Sequence, residues 1–182
     1  MKPIHNITFS FDEAEDRIVL RCTLNDKTPV ALRLTRRLTG PLLEKLAKLL
    51  LKTSDMAASL PTQLREEVVM MEHAQALAQI AAQAQHPGAA MPETPREPPS
   101  GHLLTRIDFQ PQPGGCVLLF FCNGGGDALA AIKFNRAQLH WFVDTLDRFA
   151  TRAEWEIRPV QRGWLMLKDN ENAAQREPAS LH

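Results

Sequence analysis

Ile7, Phe9 and Phe11 alternate with Thr8 and Ser10 until the acidic run Asp12-Glu13-Ala14-Glu15-Asp16 interrupts them, and Ile18, Leu20, Cys22 and Leu24 then resume the alternation. A period of two that stops at a polar run and restarts predicts a β-hairpin with one buried face. Asn25-Asp26-Lys27-Thr28-Pro29 supplies turn residues, and Val30, Leu32 and Leu34 place a third strand on the same face. The period then changes. Leu42, Leu43, Leu46, Leu49 and Leu50 recur at helical spacing, with Lys45, Lys48 and Lys52 on the other side. This stretch reads strand, strand, strand, helix.

Adding 100 to each number recovers the pattern without a gap across roughly residues 7 to 50. Ile7 meets Ile107, Phe9 meets Phe109, Cys22 meets Cys122, Arg36 meets Arg136 and Leu46 meets Leu146, while Leu20 meets Phe120, Leu32 meets Ile132 and Leu42 meets Phe142. The matched positions are the expected core positions of each element. An ungapped register through three strands and a helix points to duplication, because shared periodicity alone rarely holds register that long. The helix starts differ between the copies. Asn135 with Gln138 three residues later makes a capping box, so the second helix should begin at Arg136. In the first copy Pro41 would then fall inside the helix, so that helix is expected to start near Gly40, with Thr39 or Gly40 as cap.

From Thr62 to Gln85 the chain is rich in Ala, Gln, Glu and Met and free of Gly and Pro, which predicts a long helix after Pro61. Leu64, Val68, Met71, Leu77 and Ile80 form a thin apolar stripe suited to a neighbouring helix. His86 to Gly101 carries five prolines and reads as a linker. After the second helix, Trp155-Glu156-Ile157 and Trp164-Leu165-Met166-Leu167 are compatible with a further hairpin turning through Pro159 to Gly163. The expected fold class is therefore α+β: two pseudo-repeated βββα units, each an antiparallel sheet plus a helix, with a C-terminal β-hairpin. Residues 1–55 form the first unit, 56–86 the connecting helix, 87–101 the Pro-rich linker, 102–168 the second unit with its hairpin, and 169–182 a disordered tail.

Composition narrows the partners. The 21 lysines and arginines balance 21 aspartates and glutamates, so no global field recruits a polyanion or a membrane, and any electrostatic role is local. Three cysteines without a CxxC pair suit a reducing compartment. Met1 to Phe11 reads as strand rather than signal peptide, and no run reaches the roughly 20 apolar residues of a membrane helix. The expectation is a cytoplasmic protein with no membrane contact.

Motifs for catalysis are missing from the pattern. Asn123-Gly124-Gly125-Gly126-Asp127 joins two strands, whereas phosphate loops lead into a helix, so it reads as a hairpin turn. The acidic run at Asp12 to Asp16 lacks the Gly and terminal Glu of a calcium loop and reads as a solvated turn. The six histidines are scattered without metal-ligand spacing, and the serines sit in no GxSxG elbow. Glu72-His73 would need a third partner to act as an acid-base pair. Neither an enzyme nor a cofactor or metal is expected.

Two surface features remain. Basic positions recur in both copies, Arg33 with Lys133, Arg36 with Arg136, Lys48 with Arg148 and Lys52 with Arg152, and these are the candidates for phosphate contact. At the level of architecture alone, tandem sheet-plus-helix units look like those of the PUR and Whirly single-strand binders, although no motif here carries membership. The outer sheet face, Arg17, Val19 and Arg21 in the first copy, becomes Val117, Leu119 and Phe121 in the second. An apolar outer face requires cover, from within the chain or from a partner, and with Trp141 these residues are the interface candidates. The leading expectation is a self-associating protein-interaction or adaptor module, a homo-oligomer or partner binder. The alternative is a single-stranded nucleic-acid binder.

Overall fold

The computed structural model describes residues 1–84, 101–122 and 126–157. The first hairpin joins β1 (Lys2–Asp12) to β2 (Arg17–Leu24), pairing Phe9 with Leu20 and Phe11 with Ile18. Its turn places Asp16 at φ 51°, and the Asp12 carboxylate accepts from the Glu15 amide at 3.1 Å. A second turn leads to β3 (Pro29–Leu34), antiparallel to β2. After the helical segment come β4 (Gly101–Leu103), β5 (Arg106–Gln112), β6 (Gly115–Phe121) and β7 (Ala130–Asn135). Gly114, at φ +72°, makes the tight β5–β6 turn that a side chain would strain.

The strands form one sheet in the order β4-β3-β2-β1-β7-β6-β5. Laid flat, six steps of about 4.8 Å would put β4 and β5 about 29 Å apart. Only Leu104 and Thr105 separate them in sequence, and three peptide links span at most about 11 Å. The sheet must therefore curl until its ends meet. The hydrogen bonds show the join: the Leu104 amide donates to Arg33 on β3 at 2.9 Å, and the next amide, Thr105, donates to Phe121 on β6 at 2.9 Å. β1 uses the same device. Lys2 and Pro3 pair in parallel with Ala130 and Ala131 on β7, and an irregularity between Ile4 and Asn6 then turns the strand onto β2.

The long helices α1 (Arg36–Lys52) and α4 (Arg136–Arg152) pack on one face of this sheet. Leu42, Leu43, Leu46 and Leu50 from α1 and Phe142, Val143 and Leu146 from α4 join Ile18, Leu20, Leu32, Leu34, Leu118 and Phe120 in one core. Each such side chain contributes about 1.5–3 kcal/mol by leaving water. Phe9 of β1 sits under α4, its ring 5.8 Å from Trp141, 5.5 Å from Phe142 and 5.8 Å from Phe149. The second helix therefore covers part of the first hairpin, and the two sheet-plus-helix stretches share a core.

α4 begins where its capping box places it, with the Asn135 side chain accepting from the Gln138 amide and the Gln138 side chain accepting from the Asn135 amide. α1 corrects the expectation of a start near Gly40. Thr35 is the cap, accepting from the Leu38 amide at 3.2 Å, and Pro41 lies inside the helix. Pro41 is exposed, so water can reach the carbonyl it leaves without a donor, and burial of Leu42, Leu43 and Leu46 outweighs one missing bond.

The connecting segment forms the short α2 (Asp55–Ala58) and the long α3 (Thr62–Ala84). α3 does pack against a helix, α4, yet the buried residues are Val69, His73 and Ala76, whereas Leu64 and Met71 of the expected stripe remain exposed. Gly101 belongs to β4, so the sheet starts within the expected linker, whose other residues, 87–100, lie outside the described residues. Trp155 to Ile157 form no strand. Trp155 is instead buried against the first hairpin, donating from Nε1 to Asp16, with its ring 6.1 Å from Phe11. The remainder of the expected C-terminal hairpin and the tail also lie outside the described residues. No helix among the described residues is long and apolar enough to cross a membrane.

Candidate functional site

Successive strand residues point to opposite faces, so Val117, Leu119 and Phe121 lie away from the helices that cover Leu118 and Phe120. They form a small second cluster with Ala131 and Ala128. Leu119 is 9% exposed and Phe121 5%, and the Arg106 guanidinium lies 3.8 Å from the Phe121 ring centroid. This apolar patch is thus covered within the chain, with Val117 half-buried at its margin. Trp141 is on the other side of the sheet, packed on Phe9 in the main core, so it is not an exposed anchor.

The eight basic candidates do not converge. Arg33 and Lys133 face away from the helices, and the other six stand on α1 and α4. Most meet an acid of the same chain: Arg33 with Glu15 at 3.0 Å, Arg36 with Asp16 at 3.8 Å, Lys48 with Glu44 at 2.6 Å and Arg148 with Asp144 at 3.9 Å. Arg136 is held by Glu72, with Thr53 Oγ1 at 3.0 Å and the Leu50 carbonyl at 2.9 Å. Lys52 and Arg152 occupy the last turns of α1 and α4, where a cation complements the helix dipole. The acidic turn is therefore more than a solvated loop: Glu15 and Asp16 anchor Arg33, Arg36 and Trp155.

Beside that turn, on the face without helices, a hollow of ≈ 370 Å³ is lined by Ser10, Asp12, Glu13, Val19, Arg21 and Arg33, among others. Arg21 Nε donates to Ser10 Oγ at 3.2 Å, so its polar lining is partly engaged with itself. The thiols are unreactive by environment. Burial pushes Cys22 up to about 12 and raises Cys116 and Cys122, which keeps the nucleophilic thiolate scarce.

The polar cluster that sequence inspection missed lies between α3 and α4. His73 and His140 are both buried, and their Nδ1 atoms are 3.3 Å apart, one donating to the other. The second nitrogen of His73 lies 3.5 Å from Asp144. One residue earlier on α3, Glu72 takes Arg136 and also accepts from Ser54 Oγ at 2.8 Å. Glu72-His73 was the only hint in the sequence; its partners lie 64 to 71 residues away on α4, beyond the reach of local pattern. Burial, then the charges of His73 and Arg136, push His140 down to about 3, so it is neutral near pH 7. Ser54 also caps α2, accepting from the Ala57 amide at 3.0 Å, and is not poised as a nucleophile. Among the described residues no group of three or more His, Cys, Asp or Glu is arranged to hold a metal. The cluster serves as a clasp fixing which face of α3 meets α4.

That choice leaves the opposite side of α3 in solvent, where Met71 is 68% exposed and Leu64 44%. No family model matches the chain, and comparisons with curated proteins and with solved structures likewise give no match.

Proposed function

We propose that the chain is a non-enzymatic protein-interaction module that self-associates through the outer face of α3. The observation that carries this reading is a helix with two apolar faces, of which the clasp on α4 uses one. Leu64 and Met71 stand exposed on the other, while Val68, between them in sequence, is half-buried against the main core. Exposed leucine and methionine on a rigid helix suit a partner helix, since methionine adapts its shape to what it meets. In-chain cover of Val117, Leu119 and Phe121 moves the expected interface from the second sheet to this helix. Acid partners at five of the eight basic candidates count against a polyanion ligand. Three unbridged thiols suit a reducing compartment.

The internal duplication belongs to the same proposal. α1 and α4 are offset by 100 residues at both ends. The segment 101–112 starts on β3 and continues on β6, as β1 starts on β7 and continues on β2. Two copies of one βββα unit, each lending the start of its first strand to the other, would close the sheet in this way.

The test is the molar mass in solution by light scattering across a concentration series. The wild-type mass should rise toward twice that of one chain, and the Leu64→Glu, Met71→Glu double variant should stay at one with unchanged circular dichroism. A wild-type chain that stays monomeric throughout overturns self-association. Salt-sensitive binding of single-stranded DNA or RNA would favour the alternative.

A further inference from the structure

The geometry points to a binding site for a small zwitterion, a free amino acid or dipeptide with a small apolar side chain, in the hollow beside the β1–β2 turn. This goes beyond the reading of α3 and does not depend on it. Ser10 and Asp12 on β1, Val19 and Arg21 on β2, and Ala31 and Arg33 on β3 are each two residues apart, so all six face away from the helices. Register sets Val19 between Ser10 and Arg33, and Arg21 beside Ala31, which makes the six one patch. The hollow they line measures ≈ 370 Å³, near the lower end of the about 300–1,000 Å³ of small-molecule sites, so it suits a metabolite and not a polymer.

Arg21 is half-buried, and its one side-chain bond among the described residues runs from Nε to the neutral Ser10 hydroxyl at 3.2 Å. Its terminal nitrogens are left as a planar fork of the kind that matches a carboxylate. Ser10 accepts from Arg21, so its own proton can go to the same ligand. Arg33 plays a different part. Its charge is met by Glu15 at 3.0 Å, and its guanidinium lies across Gly101, where a Cβ would come within 1.1 Å of Nη1. It is a wall already neutralised from outside the hollow.

The remaining charges choose the ligand. Asp12 and Glu13 line the turn side of the hollow, and neither is in an ion pair among the described residues. A bare anion at Arg21 would meet their repulsion, and a bare cation beside them would meet that of Arg21. A carboxylate joined to an ammonium sets each charge next to its opposite. The floor is Val19 and Ala31, both buried, which suits a small apolar side chain. Phe11 turns its ring into the core against Trp155, so the described lining offers no aromatic face to a sugar or a base.

The test is isothermal titration calorimetry of the full chain with alanine, valine and alanylalanine as zwitterions, and with N-acetylalanine, alaninamide and inorganic phosphate as controls. At least one zwitterion should bind, and the tighter of the free and dipeptide forms identifies the source. Blocking either ligand charge should weaken binding by about tenfold or more, the usual effect of losing a hydrogen bond to a charged group. Arg21→Gln, and Asp12→Asn with Glu13→Gln, should do the same with unchanged circular dichroism. The blocked ligands report on the wild-type chain, so the outcome stands where a variant fails to fold. Absence of binding by all three zwitterions at millimolar concentration overturns the proposal. N-acetylalanine or phosphate binding as tightly as the best zwitterion overturns it in favour of an anion site, and alaninamide doing so in favour of a cation site. Unchanged binding in a folded Arg21→Gln variant places the ligand elsewhere and overturns it too.

Discussion

Acidification should loosen the contact between α3 and α4 through His140, and the size of the effect follows from its surroundings. The ring is 1% exposed, faces His73 at 3.3 Å, and lies on the same helix as Arg136 and Asp144. Burial, then His73 and Arg136, lower its pKa from 6.5 to about 3. The unfolded chain therefore takes up a proton near pH 6.5 that the folded chain refuses until about pH 3. Stability from this group is complete above pH 6.5 and is lost as pH falls through that window. Each pH unit costs about 1.36 kcal/mol. Between about pH 7.5 and about pH 4.5 the loss is about 3 kcal/mol, and it hardly depends on the folded value while that stays below about 4.

Urea unfolding at the two pH values, followed by circular dichroism, measures this, with His140→Phe as the comparison. The phenyl ring keeps most of the volume and cannot titrate. The variant should lose about 1–2 kcal/mol at neutral pH, because a nitrogen of His73 loses its partner. Its stability should nevertheless fall less on acidification than that of the wild type, by about 3 kcal/mol. Equal falls in the two proteins would refute the reasoning, since the carboxylates that also titrate there are common to both.

Two further outcomes are expected. In Gly115→Ala the new Cβ would lie 2.1 Å from the Phe134 carbonyl oxygen, a backbone atom of the neighbouring strand, so pairing of β6 with β7 must shift. Thermal unfolding should register a loss of about 1–3 kcal/mol, and an unchanged midpoint would contradict that packing. Glu72→Gln keeps the shape at the clasp while removing the charge that meets Arg136, and should destabilise by about 1–3 kcal/mol at neutral pH in denaturant titration. Wild-type stability in that variant would mean that the pair contributes nothing net.

Local chemistry was legible wherever neighbours in the chain decide the outcome. The strands of both hairpins follow their alternation, and the Asn135 capping box starts α4 because donor and acceptor lie three residues apart. Pro41 misled, because its cost is local while its compensation, the burial of Leu42, Leu43 and Leu46 on the sheet, is not. The stripe on α3 was visible, but which face would be buried was not, since His140, Asp144 and Arg136 choose it from another helix. The apolar face of Val117, Leu119 and Phe121 was likewise visible, but not that Leu119 and Phe121 would be buried within the chain, with Arg106 over the Phe121 ring.

Closure of the sheet is the clearest division. Ile107 and Phe109 alternate as a strand would, and nothing in residues 101–112 states that Leu104 bonds to β3 while Thr105 bonds to β6. Periodicity records which side of a strand meets the core, because that depends on each residue's own affinity for water. Which edges pair depends on bringing distant segments together, a choice made by the assembled core that no stretch of chain encodes alone.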